Sequence, residues 1–152
     1  MPQRKVNKVI LHCADTPTGR DVRASNIEQW HLERGFLPSS NGKAIGYHWV
    51  ICIDGTIEQG RLESDIGAHC KGQNKDSIGV CLIGRGSYTE AQIISLFYLL
   101  SKLCDGYDLE AKQVFGHNEF NHQKACPLMD MNKLRDDLEV HIRGKNGTIS
   151  RA

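Results

Sequence analysis

The feature that most constrains the fold is an apolar run at residues 77–83, Ser77-Ile78-Gly79-Val80-Cys81-Leu82-Ile83. It has the length of one strand and almost no polar interruption. Such a run is typical of a strand that is covered on both faces of a sheet. It therefore predicts the centre of a sheet with other elements packed above and below it.

Further strand patterns supply the neighbours of this central strand. Residues 8–11 have the pattern of a buried strand, and residues 47–53 are rich in aromatic and branched side chains. Asp54-Gly55 is a strong hairpin turn that leads into residues 56–59, so these two strands are predicted to be antiparallel. A short strand is predicted at residues 113–115. Together these patterns predict a mixed sheet.

Capping residues and apolar periodicity predict three helices. In a capping box, Ser or Thr is followed three residues later by Glu or Gln, as in Ser25 with Glu28 and Thr89 with Gln92. Asp130 is expected to cap the last helix. The predicted helices are residues 25–34, 89–106 and 131–142. The sequence thus predicts an α/β fold, a single domain over residues 1–152 with a central mixed β-sheet flanked by helices, a core from about 6 to 142 and a loose tail at 143–152.

Composition narrows the classes of partner. The chain has 152 residues, with 19 Lys plus Arg against 18 Asp plus Glu, so its net charge does not favour nucleic acid or an anionic membrane. The uninterrupted apolar run before His12 covers only residues 9–11, which is too short for a signal peptide, and no run approaches the roughly 20 residues of a membrane span. Without an export signal, the six cysteines are expected to be reduced thiols.

A loop at residues 116–127 concentrates metal-binding side chains. It contains His117, His122, Lys124 and Cys126, and the best distant complement is His12, which follows the first predicted strand. Two histidines and one cysteine would leave a fourth coordination position open for water, as in a catalytic zinc site, which suggests hydrolysis.

Spacing does not decide which histidine of the loop binds the metal. His122 and Cys126 are four positions apart, a spacing that works on a helix, whereas His117 is nine away and needs a loop. Spacing alone slightly favours His122. Cys13 is not expected to join His12 at one metal if the strand continues, because adjacent side chains on a strand face opposite ways.

Several motifs, in their order and spacing, resemble a known family. They are Gly46-Tyr47-His48-Trp49, Asp54-Gly55-Thr56, His69-Cys70-Lys71-Gly72, the segment from Asn74 to Cys81 and the loop from His117 to Pro127. Together they resemble the type 2 zinc-dependent N-acetylmuramoyl-L-alanine amidases, most closely the small phage lysozymes that are amidases, and more distantly the peptidoglycan recognition proteins. The resemblance extends from about residue 6 to residue 140.

The resemblance implies a role for each matching position. It makes His12, His117 and Cys126 the ligands of a Zn²⁺ ion, Tyr47 and Lys124 the catalytic pair beside it, and His69 a residue of the substrate groove. His122 would be a loop residue beside the site. The zinc-binding loop looks one residue longer than in the phage lysozymes, the loop at 38–45 also looks longer, and the stretch 84–88 looks shorter. His31, His48 and His141 are expected to be packed or structural histidines.

The resemblance also implies a substrate and a setting. The expected reaction is hydrolysis of the amide between N-acetylmuramic acid and L-alanine in bacterial peptidoglycan, by a monomeric phage endolysin held in the host cytoplasm until it is released to the cell wall. Some phage relatives also bind a phage RNA polymerase, which is therefore a candidate partner. Two alternatives are a cytoplasmic amidase that recycles muropeptides and a non-catalytic peptidoglycan-binding or regulatory protein. Serine hydrolysis is not favoured, because the sequence has no Gly-x-Ser-x-Gly elbow.

Overall fold

The computed structural model describes the backbone of residues 4–151 and the side chains of residues 4–144. Within them, five strands form one mixed sheet in the order β3-β2-β4-β1-β5. The strands are β1 (Lys8–Cys13), β2 (Trp49–Ile51), β3 (Ile57–Gln59), β4 (Ser77–Leu82) and β5 (Val114–Gly116). The helices are α1 (Ala24–Glu33), α2 (Glu90–Tyr107) and α3 (Met131–Arg151). The predicted α/β class, with a central mixed sheet flanked by helices, is confirmed.

The apolar run at residues 77–83 forms the middle strand. β4 pairs in parallel with β1 on one side and with β2 on the other, and each of its six residues is buried. This burial on both faces explains the nearly continuous apolar pattern. β3 is antiparallel to β2, as the Asp54-Gly55 hairpin predicted.

Two apolar cores cover the two faces of the sheet. Val80 and Leu82 of β4 belong to the larger core, which contains side chains of α2 and α3. Cys81 lies in the smaller core, with Ile27 of α1. Because neighbouring strand residues alternate between faces, His12, which is paired with Cys81, lies on the face of the smaller core.

The strand ends differ from those predicted. β1 continues through Cys13, so His12 is a strand residue and does not follow the strand. β2 covers only Trp49–Ile51, and therefore Tyr47 precedes the strand. The backbone near Tyr47 bonds to the chain beyond β3 instead, since Arg61 N donates to the Tyr47 carbonyl oxygen at 3.0 Å.

The first predicted capping box is wrong. α1 begins after Arg23, whose backbone N–H donates to Asn26 Oδ1 at 2.8 Å. The Glu28 carboxylate does not return to the start of the helix but accepts from the backbone N–H groups of Ala44 and Ile45. A tertiary contact thus takes the side chain that the local pattern assigned to the cap.

The other two caps are confirmed. Thr89 Oγ1 accepts from Gln92 N at 3.1 Å, and Gln92 Oε1 accepts from Thr89 N at 3.0 Å. Asp130 Oδ1 accepts from Lys133 N at 3.1 Å. The predicted end of α3 at residue 142 is wrong, because the helix continues to Arg151. The side chains of the predicted tail beyond residue 144 lie outside the described residues.

In the described part of the chain, no helix has the length and apolar character needed to cross a bilayer. All six cysteines are free thiols, and five of them are buried.

Candidate functional site

Strand pairing brings His12 and His117 together. β1 and β5 are parallel, and Leu11 is paired with Gly116. The next position in each segment holds His12, within β1, and His117, directly after β5, so the two residues lie side by side at the same level of the sheet. This is the carboxyl end of the parallel strands, where open α/β sheets place their ligand sites.

The loop after β5 folds back so that Cys126 joins the two histidines. Asn118 N donates to the Cys126 carbonyl oxygen at 2.9 Å, which closes the loop on itself. Gly116 makes room for this return, since a Cβ there would lie 2.6 Å from Asn118 Oδ1 and 2.8 Å from Pro127 Cδ. A side chain at position 116 would push the two limbs of the loop apart.

Two contacts brace the loop against the rest of the domain. Arg135 of α3 forms a two-pronged ion pair with Glu119, at 2.7 and 3.0 Å, and also donates to the Val114 carbonyl oxygen. On the other limb, the Tyr88 hydroxyl donates to the Pro127 carbonyl oxygen. These contacts stiffen both ends of the segment that carries His117 and Cys126.

The donor atoms of His12, His117 and Cys126 lie within 4.8 Å of one another. His12 Nδ1 is 3.1 Å from His117 Nδ1, which is 3.3 Å from Cys126 Sγ. In a tetrahedral zinc site with Zn–N near 2.0–2.1 Å and Zn–S near 2.3 Å, ligand atoms lie roughly 3.3 to 3.6 Å apart. The donor set and its spacing therefore fit zinc with one coordination position left open.

The three side chains line a cavity of about 610 Å³. Tyr47 and Lys124 line the same cavity, and the Tyr47 ring centroid is 5.1 Å from that of His12. Burial, followed by the nearby thiols of Cys81 and Cys126, holds the pKa of Tyr47 well above 10. The Tyr47 phenol is therefore a proton donor at neutral pH.

Burial favours the neutral form of both histidines of the cluster. Burial and the adjacent imidazoles of His69 and His117 hold the pKa of His12 well below 6.5. Burial and then the positive charge of Lys124 lower the pKa of His117. Neutral imidazole is the form that ligates a metal.

His122, which spacing alone favoured, is exposed and is not part of the ligand cluster. The segment from His117 to Cys126 is not a continuous helix, so a four-residue spacing does not bring His122 and Cys126 to one face. Strand register brings in His117 instead.

His69 lies in the cavity wall, but its side chain is buried and only 9% of the residue is exposed. Its Nδ1 is 2.8 Å from His12 Nε2 and its Nε2 is 3.2 Å from Ser77 Oγ, so both ring nitrogens are engaged inside the protein. His48 is fully buried, accepts from Gly79 N at 3.0 Å and lies 2.8 Å from the Asp65 carbonyl oxygen, as expected for a packed histidine.

Two contributors to the site were not recognised from the sequence. Cys13 is outside the ligand cluster, yet it lines the same cavity. Ser77, the first residue of the apolar run, is buried and contacts His69. A hydroxyl at the start of an otherwise apolar strand was the only signal that could have indicated this contact.

Known proteins are similar in sequence to most of this chain. The sequence model described as N-acetylmuramoyl-L-alanine amidase matches residues 2–128. The endolysin of Escherichia phage T7 is 37% identical over 152 residues, covering 93% of this chain and 95% of the relative. The endolysin of Enterobacteria phage T3 is 36% identical over 153 residues, covering 94% and 95%.

A solved structure shares the fold. The N-acetylmuramoyl-L-alanine amidase LysC from Clostridium intestinale superposes with a TM-score of 0.75 at 24% identity, covering 94% of this chain and 91% of LysC. The match of the family's sequence model, the endolysin relatives and the shared fold all agree. This chain belongs to the N-acetylmuramoyl-L-alanine amidase family.

Proposed function

We propose that this amidase is a zinc-dependent phage endolysin that hydrolyses the amide between N-acetylmuramic acid and L-alanine in bacterial peptidoglycan. The main support for zinc is the cluster of His12, His117 and Cys126, whose donor atoms lie within 4.8 Å of one another in the wall of one cavity. Support for the substrate comes from the family and from the two phage endolysins that match nearly the whole chain.

Five side chains of the cavity then have defined roles. His12, His117 and Cys126 would hold the metal. A zinc ion bound there would supply Lewis acidity to the scissile carbonyl and to a water molecule. Lys124 carries a positive charge that stabilises the oxyanion formed when the amide is attacked, and Tyr47, as a protonated phenol, orients the water or passes a proton.

The ligand set favours a wall-degrading enzyme over one that recycles soluble fragments. Amidases that recycle muropeptides usually carry a carboxylate as the third ligand, whereas this chain offers the Cys126 thiol. The protein would act as a monomer, kept in the host cytoplasm until it is released to the cell wall. Binding to a phage RNA polymerase stays a prediction, for which a pull-down with the polymerase is the test.

The test combines metal analysis with an amidase assay. Wild-type protein should contain about one zinc ion per chain and release L-alanine amino groups from purified sacculi. Cys126→Ala and His117→Ala should lose both the zinc and the activity. His122→Ala is the matched control from the same loop, and it should keep both.

Opposite results for the two histidine variants would mean that His122 is the ligand, and the assignment of His117 would be wrong. Zinc-loaded wild type that releases no amino groups from sacculi would contradict the amidase function itself. Wild type that cleaves soluble muropeptides but not sacculi would support the recycling role instead of the endolysin role.

A further inference from the structure

A chain of hydrogen bonds leads from His12 away from the ligand cluster. His12 Nε2 lies 2.8 Å from His69 Nδ1, and His69 Nε2 lies 3.2 Å from Ser77 Oγ. The Ser77 hydroxyl in turn donates to the carbonyl oxygen of Gln73 at 2.6 Å. His12, His69 and Ser77 are all buried, so these polar atoms depend on one another for their hydrogen bonds.

The last of these hydrogen bonds, from Ser77 to the Gln73 carbonyl oxygen, fixes the direction of the other hydrogen bonds in the series. A carbonyl oxygen only accepts, so the Ser77 hydrogen points to Gln73 and Ser77 Oγ accepts from the N–H of His69 Nε2. A neutral His69 then has its lone pair on Nδ1, which accepts from His12 Nε2–H. A neutral His12 with its hydrogen on Nε2 carries its own lone pair on Nδ1, the atom 3.1 Å from His117 Nδ1.

The surroundings of His69 are built to hold its ring in one position. A Cβ at Gly79 would lie 2.6 Å from His69 Cγ and Cδ2, and a Cβ at Gly67 would lie 2.7 Å from Cδ2. The ring therefore packs directly on two stretches of backbone that have no side chain. Asn74 Oδ1 accepts from the backbone N–H groups of His69 and Cys70, each at 2.9 Å, and so holds the segment that carries the ring.

We propose that His69 is a positioning residue that holds His12 in the tautomer and orientation whose Nδ1 lone pair faces the zinc. This inference rests on the proposed zinc-dependent function. It replaces direct contact with substrate as the role of His69, because both ring nitrogens are already bonded within the protein. It also explains why a histidine, two glycines, Asn74 and Ser77 stand together in a part of the chain that supplies no ligand.

Two substitutions that introduce side chains of nearly equal shape distinguish the effect of the hydrogen bond on zinc affinity from the effect of packing. His69→Asn places an oxygen acceptor near the position of Nδ1, whereas His69→Leu has similar branching and no acceptor. Loss of a hydrogen bond behind a metal-binding histidine typically weakens metal affinity, so the zinc Kd of His69→Leu should rise about 10- to 100-fold. His69→Asn should stay within about threefold of wild type, because the acceptor is retained.

Competition with a chromophoric chelator measures these affinities. His141→Leu, on α3 and away from the cavity, is the control for a general effect of replacing a histidine by leucine. Unchanged zinc affinity in His69→Leu would overturn the proposal. Equal weakening by Asn and Leu would also overturn it, because packing alone would then account for the effect.

A second measurement needs no variant and no zinc. In metal-free wild type, nitrogen-detected NMR of the imidazoles should show His12 with its hydrogen on Nε2, while an Nδ1–H tautomer would contradict the role of His69. The two proposals can fail separately. If the wild type binds no zinc, the zinc-dependent function is contradicted. If the wild type binds zinc but His12 is the Nδ1–H tautomer in the metal-free state, only the role of His69 is contradicted.

Discussion

Lys124 is an exposed side chain that stands two residues before Cys126 and lines the same cavity as the ligand cluster. Burial and then the positive charge of Lys124 lower the pKa of His117. A cation in the cavity wall can stabilise an oxyanion without binding the metal. Replacing this residue should therefore weaken stabilisation of the transition state without changing the affinity for zinc.

Replacing Lys124 tests this separation. Lys124→Ala should keep its zinc and lower kcat on sacculi about 100- to 1,000-fold, the usual effect of removing one group that stabilises an oxyanion. Lys124→Arg retains the charge and should recover part of the rate. Metal analysis and steady-state kinetics on the same preparations provide the measurement. A kcat within twofold of wild type for the alanine variant would remove Lys124 from the mechanism.

His117 and His122 show where sequence reasoning from spacing stops. A four-residue spacing to Cys126 favours His122 only if the segment is helical, and in the structure it is a closed loop. The position of His117 follows from the pairing of Leu11 with Gly116, a contact between residues that are 105 positions apart in the chain. Register of this kind is not visible in local sequence, so only the resemblance to the amidase family pointed to His117.

At the scale of elements, caps are predictable when the capping side chain has no competing tertiary partner. Thr89 and Gln92 bond to each other across the first turn of α2. Glu28 had the same local pattern, but its carboxylate bonds instead to two backbone N–H groups near residue 45. The competing contact spans 17 residues and could not be inferred from the four residues of the motif.

The cap of α2 gives a prediction about stability. Thr89 Oγ1 accepts from Gln92 N and donates to the Ile53 carbonyl oxygen at 2.6 Å, so it ties the helix to the β2–β3 hairpin as well as capping it. Thr89→Ala should lower the free energy of unfolding by about 1 kcal/mol. Thr89→Ser keeps the hydroxyl and should lose only a few tenths of that amount. Urea unfolding of the metal-free proteins measures both, and equal stability of Thr89→Ala and wild type would contradict this role.

For the molecule as a whole, the same sheet provides both stability and the site. The apolar run at residues 77–83 sufficed to predict a central strand, because burial on both faces leaves a direct trace in the sequence. The partners of that strand leave no such trace. The order β3-β2-β4-β1-β5 brings together segments that are far apart in the chain, and it alone aligns the carboxyl ends from which His12 and His117 reach the cavity.

Building the site on this sheet also buries neutral histidines, which links the stability of the molecule to pH. Burial lowers the pKa of His48 to about 4, and burial followed by the charge of Arg34 lowers that of His31 to about 4. In the unfolded chain a histidine titrates near 6.5. The unfolded state therefore binds more protons than the folded state between these values. The stabilisation is complete above pH 6.5 and is lost as pH falls towards 4.

His48 allows the effect to be isolated, since it is fully buried and is not one of the proposed ligands. One such histidine costs about 1.4 kcal/mol per pH unit within the window, or about 2 kcal/mol between pH 6.5 and pH 5. In urea unfolding of metal-free protein, His48→Asn should thus lose about 2 kcal/mol less than wild type between pH 7 and pH 5. His122→Asn, which replaces an exposed histidine, should lose as much as wild type. If His48→Asn and wild type lose stability in parallel, protonation of His48 does not contribute to acid unfolding.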